Sequence, residues 1–157
     1  MNRKHHYELS ITWTGNLGKG TESYFGYHRD HIITVPGKST IEASSDQVFR
    51  GDKSKYNPEE LLVASLSSCH MLWFLHLCSE MGIIVEKYSD NARGTMVETG
   101  DGGGHFTGVM LFPNVVLREV PAADLDELHS RANKLCFIAN SCNFPVQHQA
   151  TFSIMSS

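Results

Sequence analysis

The chain has no basic run, no C-x-x-C or H-x-x-x-H pair, no internal repeat and no low-complexity tract. Each absence removes a class of function. Thirteen Lys and Arg against seventeen Asp and Glu give a formal charge of −4. Neither the cationic footprint of a nucleic-acid binder nor a polybasic membrane patch is present. Met1 to Ser10 has charge but no apolar core, so no secretory signal is expected there. Cysteine is scarce, at four residues, and no extracellular signal accompanies it. That usage predicts a reducing, cytoplasmic compartment in which thiols are free for chemistry. One long apolar stretch exists, Leu61 to Leu77, interrupted by Ser65, Ser67, Ser68, His70 and His76. It falls short of the roughly 20 apolar residues of a membrane span and predicts a buried helix of a soluble protein.

With 157 residues, 41% hydrophobic and 19% charged, the chain has the size and composition of one globular domain, residues 1–157. Tyr7, Leu9, Ile11 and Trp13 alternate with polar residues and predict a strand over 7–13. Further strands are expected at 22–28, 31–35 and 39–43, with Pro36-Gly37 turning between the last two. Strands at 83–98, broken near Asp90-Asn91, and at 105–120, broken at Pro113-Asn114, flank the glycine-rich connection Asp101 to Gly104. No helix follows that connection, so it reads as a hairpin and not a phosphate cradle. A second helix starts near Pro121, with Asp124, Asp126 and Glu127 at its positive end and Arg131 and Lys134 at its negative end. Leu125, Leu128, Ala132 and Leu135 share one face of it. A last strand covers 146–155. The order predicts an α+β fold, antiparallel sheets wrapped around a long buried central helix plus a second helix.

The central helix is the most informative segment. Asn57 caps it, Pro58 occupies its first position, Glu59 and Glu60 fill the first turn, and Met81-Gly82 ends it. Cys69 lies about three turns in, beyond the reach of the helix N-terminal charge, which fades within the first turn. A reactive thiol there needs a positive partner from elsewhere, and Arg29 and Arg50 in the preceding loops are the candidates. Spacing alone leaves Cys69 open between reactive group and inert core filling. Cys78, nine residues on and about 180° around the helix, reads as core.

Two motifs bear on this choice. Asn57-Pro58-Glu59-Glu60-Leu61 is followed by a cysteine ten residues after Glu59, and Ala132-Asn133-Lys134-Leu135-Cys136-Phe137-Ile138-Ala139-Asn140 carries a second. Together, in this order, they resemble the osmotically inducible protein C and organic hydroperoxide resistance (OsmC/Ohr) family, from the Trp13-Thr14-Gly15 strand to the final strand. The resemblance implies an intertwined homodimer with active sites at the interface and a cysteine-based peroxidase that reduces organic hydroperoxides. It assigns Cys69 as the peroxidatic residue, Cys136 as the resolving one, Glu59 as the family's glutamate, and Arg50 or Arg29 as the arginine. An external dithiol would reset the disulfide, and no cofactor or metal is required. Glu59 and Cys69 are about 15 Å apart along one helix, so Glu59 would act through the arginine, by a bidentate pair, or across the dimer.

Two departures stand out: Phe137 follows Cys136 where many members have proline, and Asn133 stands where histidine is common. Cys142 is an additional resolving candidate in the turn before Pro145. Leu66, Met71, Leu72, Trp73 and Phe74 would favour organic peroxides if some of them line the pocket. The competing reading is a non-enzymatic small-ligand or metal-binding protein using Cys69, His70, His76, His28 and His31. Cys69 and His70 point about 100° apart on a helix, which disfavours a shared metal, and hydrogen-bonded core histidines are the default. A Cys–His hydrolase with His70 or His76 as base is a further possibility, but no triad order can be read.

Overall fold

The computed structural model describes residues 3–156; Met1 and Asn2, within the stretch read for a secretory signal, and Ser157 lie outside it. Two compact units are resolved, divided between Leu61 and Leu62.

In the first unit, β1 (Ser10–Trp13), β2 (His31–Thr34) and β3 (Ile41–Ala43) form an antiparallel sheet in that order. Ile11 pairs with Ile33 and Ile33 with Ile41 across it. The Pro36-Gly37 turn closes as expected, with the Lys38 N–H bonded to Val35 O at 3.1 Å. The strand expected at 22–28 is a series of turns instead. Its aromatic residues suggested a ladder, but the carbonyls of Tyr24 and Tyr27 accept from the Arg29 guanidinium at 2.7 and 2.6 Å. Those acceptors are then engaged away from any neighbouring strand.

The long helix, α1, spans Pro58–Glu80. Its first turn is a reciprocal capping box: Asn57 Oδ1 accepts from the Glu60 N–H at 2.8 Å, and Glu60 Oε2 accepts from the Asn57 N–H at 3.2 Å. It stops where Gly82 adopts φ 69° and Ile83 N–H reaches back to Cys78 O at 2.9 Å. A side chain at that left-handed position would be strained, which is why glycine follows the helix. At 23 residues, with an 18-residue window of mean hydropathy 1.6, α1 is long and apolar enough to cross a membrane by length and composition. The shortfall expected from its serines and histidines is therefore not met, because Leu, Val and Phe outweigh them.

In the second unit, α1 is followed by β4 (Val85–Asp90), β5 (Arg93–Glu98), β6 (Gly104–Leu111), β7 (Pro113–Leu117), α2 (Leu125–Leu135), β8 (Val146–His148) and β9 (Thr151–Ile154). Two three-stranded sheets result, β4-β7-β9 and β5-β6-β8. They are mixed, not purely antiparallel as expected: β4 and β7, and β5 and β6, are antiparallel, but β6 and β8, and β7 and β9, run parallel. The return through α2 is the long crossover that parallel pairing requires. The expected single strand over 146–155 is split, one piece joining each sheet. Helix α2 starts at Leu125, four residues beyond the Pro121 expected in its first turn, because the Asp124 carboxylate caps it there by accepting from the N–H groups of Asp126 and Glu127.

One face of α1 enters two apolar clusters. Phe74, Leu77 and Cys78 pack with Val115 and Leu117 of β7 and Leu128 and Ala132 of α2. Leu66 packs with Val109 and Leu111 of β6. The spacing Leu66, His70, Phe74, Leu77 is a helical stripe. The helix is apolar elsewhere too, and Leu72 stays 62% exposed.

Candidate active site

Cys69 projects from the middle of α1 and is half-buried, whereas Cys136 caps the C-terminus of α2 and is 1% exposed. Their thiols are within hydrogen-bonding reach of each other, close to the separation a disulfide requires. Burial first, and then the contact with Cys69, pushes the Cys136 thiol up to about 11. Cys136 thus keeps its proton at neutral pH. The backbone holds Cys136 in turn: Ala139 N–H donates to its Sγ at 3.3 Å. That donor exists because the chain turns sharply after α2, through the short helix Ala139–Ser141.

The other two thiols are placed differently. Cys78 is buried in the apolar cluster and burial raises its pKa to about 11, as inert core filling requires. Cys142 is half-buried beside Phe144 and Val146, and only burial raises its pKa. No thiol partner acts on it, unlike Cys136.

The apolar residues predicted to surround Cys69 divide. Leu66 and Phe74 are fully buried core. Trp73, one helical turn beyond Cys69, meets Phe137, the residue after Cys136, edge to face at 5.6 Å. Phe137 is 70% exposed. An aromatic pair thus stands beside the two cysteines, and its Phe137 half replaces the proline of the motif.

Arg29, Arg50 and Glu59 belong to the first unit. The Arg29 guanidinium lies over Tyr24 and Tyr27, 4.3 and 4.1 Å from their centroids, and donates to both of their carbonyls. Arg50 lies over Phe25 at 4.5 Å. The two arginines proposed as rivals share one aromatic cluster. Arg50 has φ 67°, the only positive value among the described non-glycine residues, and a local cost of that kind is a feature of functional turns. Gly51 beside it is obligatory, since a Cβ there would lie 1.6 Å from Ser45 O. The bidentate pair expected between Glu59 and an arginine does not form among the described residues, and Glu59 Oε2 is buried without a partner. Two of the five Arg29 donors go to backbone carbonyls instead.

For the metal-binding reading, no group of three or more His, Cys, Asp or Glu side chains comes together in ligand geometry among the described residues. His76 pairs with Glu80 on the surface at 3.5 Å, and His31 Nδ1 contacts Arg29 O at 3.0 Å. His70, considered as ligand or base, is instead 2.8 Å from His129 in the core. Sequence reasoning missed that partner. Its available signal was a histidine on the face of α2 that otherwise carries Leu125, Leu128 and Ala132.

The OsmC-like protein family profile matches residues 51–150. Among solved structures, the chain is similar to an OsmC-like protein of unknown function from Vibrio cholerae, at 33% identity over 94% of this chain and 100% of that one, with TM-score 0.82. It shares the fold of an organic hydroperoxide resistance protein from Elizabethkingia anophelis, at 19% identity, 98% and 100% coverage and TM-score 0.65. A likeness of fold also links it to an organic hydroperoxide resistance protein from Legionella pneumophila, at 18% identity, 96% and 99% coverage and TM-score 0.68. No curated protein sequence matches the chain.

Proposed function

The chain belongs to the OsmC-like family, and from that premise we propose that it is a cytoplasmic thiol peroxidase that reduces organic hydroperoxides through Cys69 and Cys136. The observation that carries the reading is the contact between these two thiols, one from each helix, inside a family that includes peroxide-resistance proteins. Inert core cysteines have no need to meet.

In the first step the Cys69 thiolate attacks the distal peroxide oxygen and the O–O bond breaks. The alkoxide takes a proton and leaves as an alcohol, and Cys69 becomes a sulfenic acid. Cys136 then attacks the Cys69 sulfur, the S–O bond breaks, and hydroxide leaves with the Cys136 proton as water. The S–S bond formed holds the two electrons' worth of oxidation that the peroxide delivered. An external dithiol returns both cysteines to thiols and is itself oxidised to a disulfide. With its thiol at about 11, Cys136 stays protonated and is a poor competitor for peroxide. That property suits the resolving role.

A guanidinium would stabilise both the attacking thiolate and the oxygen leaving the O–O bond. Arg50 fits better than Arg29, because the Arg29 head is anchored by bonds from both terminal nitrogens to backbone carbonyls while Arg50 sits on a turn of positive φ and is exposed. We assign Glu59 to the dimeric protein. Its buried, unpartnered oxygen calls for a donor, and a second copy of the chain supplies it. The same copy would cover Ile11 and Leu72, exposed by 64% and 62% in a single chain. Trp73 and Phe137 favour an organic substituent on the peroxide over hydrogen peroxide.

The test is a thiol count. Reduced protein, with its four free cysteines, is mixed with an equivalent of cumene hydroperoxide and analysed by mass spectrometry. Loss of two thiols, with Cys69 linked to Cys136 in the peptide map and Cys69→Ser inert, supports the reading. Four thiols surviving excess organic peroxide would overturn it in favour of a non-enzymatic ligand-binding role.

A further inference from the structure

Three imidazoles that the peroxide chemistry does not use meet in the second unit. His70 follows Cys69 on α1. His129 lies on α2, seven residues or about two turns before Cys136. His148 ends β8. His70 and His129 are 1% and 0% exposed, and Nε2 of the first is 2.8 Å from Nδ1 of the second. Their planes differ by 4° and their centroids are 5.1 Å apart, a separation that fits two rings meeting edge on through that nitrogen contact. The two nitrogens therefore point at each other and not at a common metal. His148 lies 5.5 and 5.6 Å from the two rings, tilted by 32° to each, and Phe74 lies flat on His129 at 3.9 Å.

This arrangement is a neutral N–H···N hydrogen bond. Burial holds His70 at about 4 and His129 at about 3. The groups facing the pair are His148 from β8 and, beyond it, Asp126 from the first turn of α2. Tyr88 of β4 reaches Phe74, which covers His129. Apart from the thiol contact itself, this is the side-chain hydrogen bond that joins α1 to α2 among the described residues. The apolar contacts of Phe74 and Leu77 with Leu128 and Ala132 are non-directional and tolerate sliding or rolling of α2. A hydrogen bond between two buried rings does not, because a small slip leaves both nitrogens unsatisfied. The outer nitrogens, Nδ1 of His70 and Nε2 of His129, already lack partners. The cost of burying these rings is thus offset only through the contact they make with each other.

We infer that the His70–His129 hydrogen bond is a positioning device that fixes the register of α2 on α1 and so holds Cys136 against Cys69 for disulfide closure. Neither histidine touches the substrate. The inference rests on Cys69 and Cys136 forming a disulfide, and the closure rate that decides it is measured without peroxide.

Diamide closes a dithiol directly: two thiols give up two electrons and two protons to its N=N bond, yielding a disulfide and a hydrazine. Reduced parent, His129→Asn, His129→Gln and His129→Leu are treated with diamide, and the Cys69–Cys136 disulfide is timed by quenched peptide mapping. Asparagine places an amide atom near the position of Nδ1, and glutamine places it a bond further out, toward Nε2. The expected result is closure by His129→Asn at near the parental rate, with His129→Gln and His129→Leu slower by about tenfold or more, the factor that loss of a hydrogen bond controls. Oxidation of Cys69 by cumene hydroperoxide, followed as loss of its thiol, should proceed at the parental rate in all four proteins, while dimedone capture of the sulfenic acid should rise in the variants that close slowly. Equal closure rates for His129→Asn and His129→Gln, or parental closure by folded His129→Leu, overturn the inference. If the leucine variant does not fold, the comparison of the two amides decides. A parent that closes with diamide but ignores cumene hydroperoxide refutes the peroxidase reading and leaves the positioning inference intact.

Discussion

Acid should destabilise this protein well before its carboxylates protonate, and the buried histidine pair sets the size of the effect. His70 has its pKa lowered from 6.5 to about 4 by burial first and then by His148. His129 is lowered to about 3 by burial, His70 and His148. Between 6.5 and those values, the unfolded chain holds protons on both imidazoles while the folded chain holds none. Stability therefore rises with pH across that interval, is full above it, and is lost as pH falls toward about 4. A displacement of about 2.5 units for His70 alone corresponds to about 3 kcal/mol, at 1.36 kcal/mol per unit. His129 adds in the same direction, as does His148, whose pKa burial also lowers. For a chain of this size, 3 kcal/mol lowers the melting temperature by about 10 °C. The carboxylates that titrate with folding act elsewhere. Asp30, bonded to Lys55 at 2.6 Å, has a lowered pKa, as do Asp52 and Asp101, so their contributions are lost only below about 4. Urea unfolding measured by circular dichroism from about pH 7.5 to 4.5 isolates the imidazoles. The expected profile is level above pH 7 and falls by about 1 kcal/mol or more per unit below 6.5. In the double variant His70→Gln/His129→Asn, which carries amides in place of both rings, most of that slope should vanish. A level profile in the parent, or an undiminished slope in the double variant, would refute the argument.

Cys136→Ser should still turn the first peroxide over, but Cys69 should then accumulate as sulfenic and sulfinic acid instead of disulfide, which intact-mass measurement resolves. Arg50→Met should slow sulfenic acid formation by about a hundredfold with little change in melting temperature, because its cation serves charge on the reacting atoms. Arg29→Met should do the reverse: loss of two hydrogen bonds and two ring contacts should cost about 2 kcal/mol in urea unfolding with the peroxide rate less affected. Phe74→Ala should cost about 3–5 kcal/mol, since Phe74 is fully buried between two helices and β7 and leaves a cavity that rigid neighbours cannot fill.

What the sequence made legible was what local chemistry dictates. The asparagine cap at Asn57, the glycine stop at Gly82 and the acidic first turn of α2 are each decided within a few residues, and each is found. The segment 22–28 was misread for a non-local reason. Tyr24, Phe25 and Tyr27 have strand propensity, but two arginines, one of them far along the chain at position 50, use their rings and carbonyls. The parallel pairings were hidden likewise, because they depend on where the chain returns after α2 and not on the strands themselves.

The candidate site divides along the same line. Cys69 and Cys136 were named from motifs, each with its neighbours in sequence, while the reason they meet lies in residues that no motif records. His70, His129 and His148 come from three separate segments, and only folding makes them one cluster. A mid-helix thiol lacks help from a helix end, so its behaviour is decided by what packs beside α1. On one side that is the S–H of a deeply buried Cys136. The register that brings Cys136 there depends on how α2 sits, and a neutral imidazole pair specifies that more sharply than leucine contacts can. The same burial that makes the pair directional makes it acid-labile. If that account is right, closure in the parent should fall with acid more steeply than thiolate protonation alone requires, over the window in which stability falls, and that excess should vanish in the variant with amides in place of the rings.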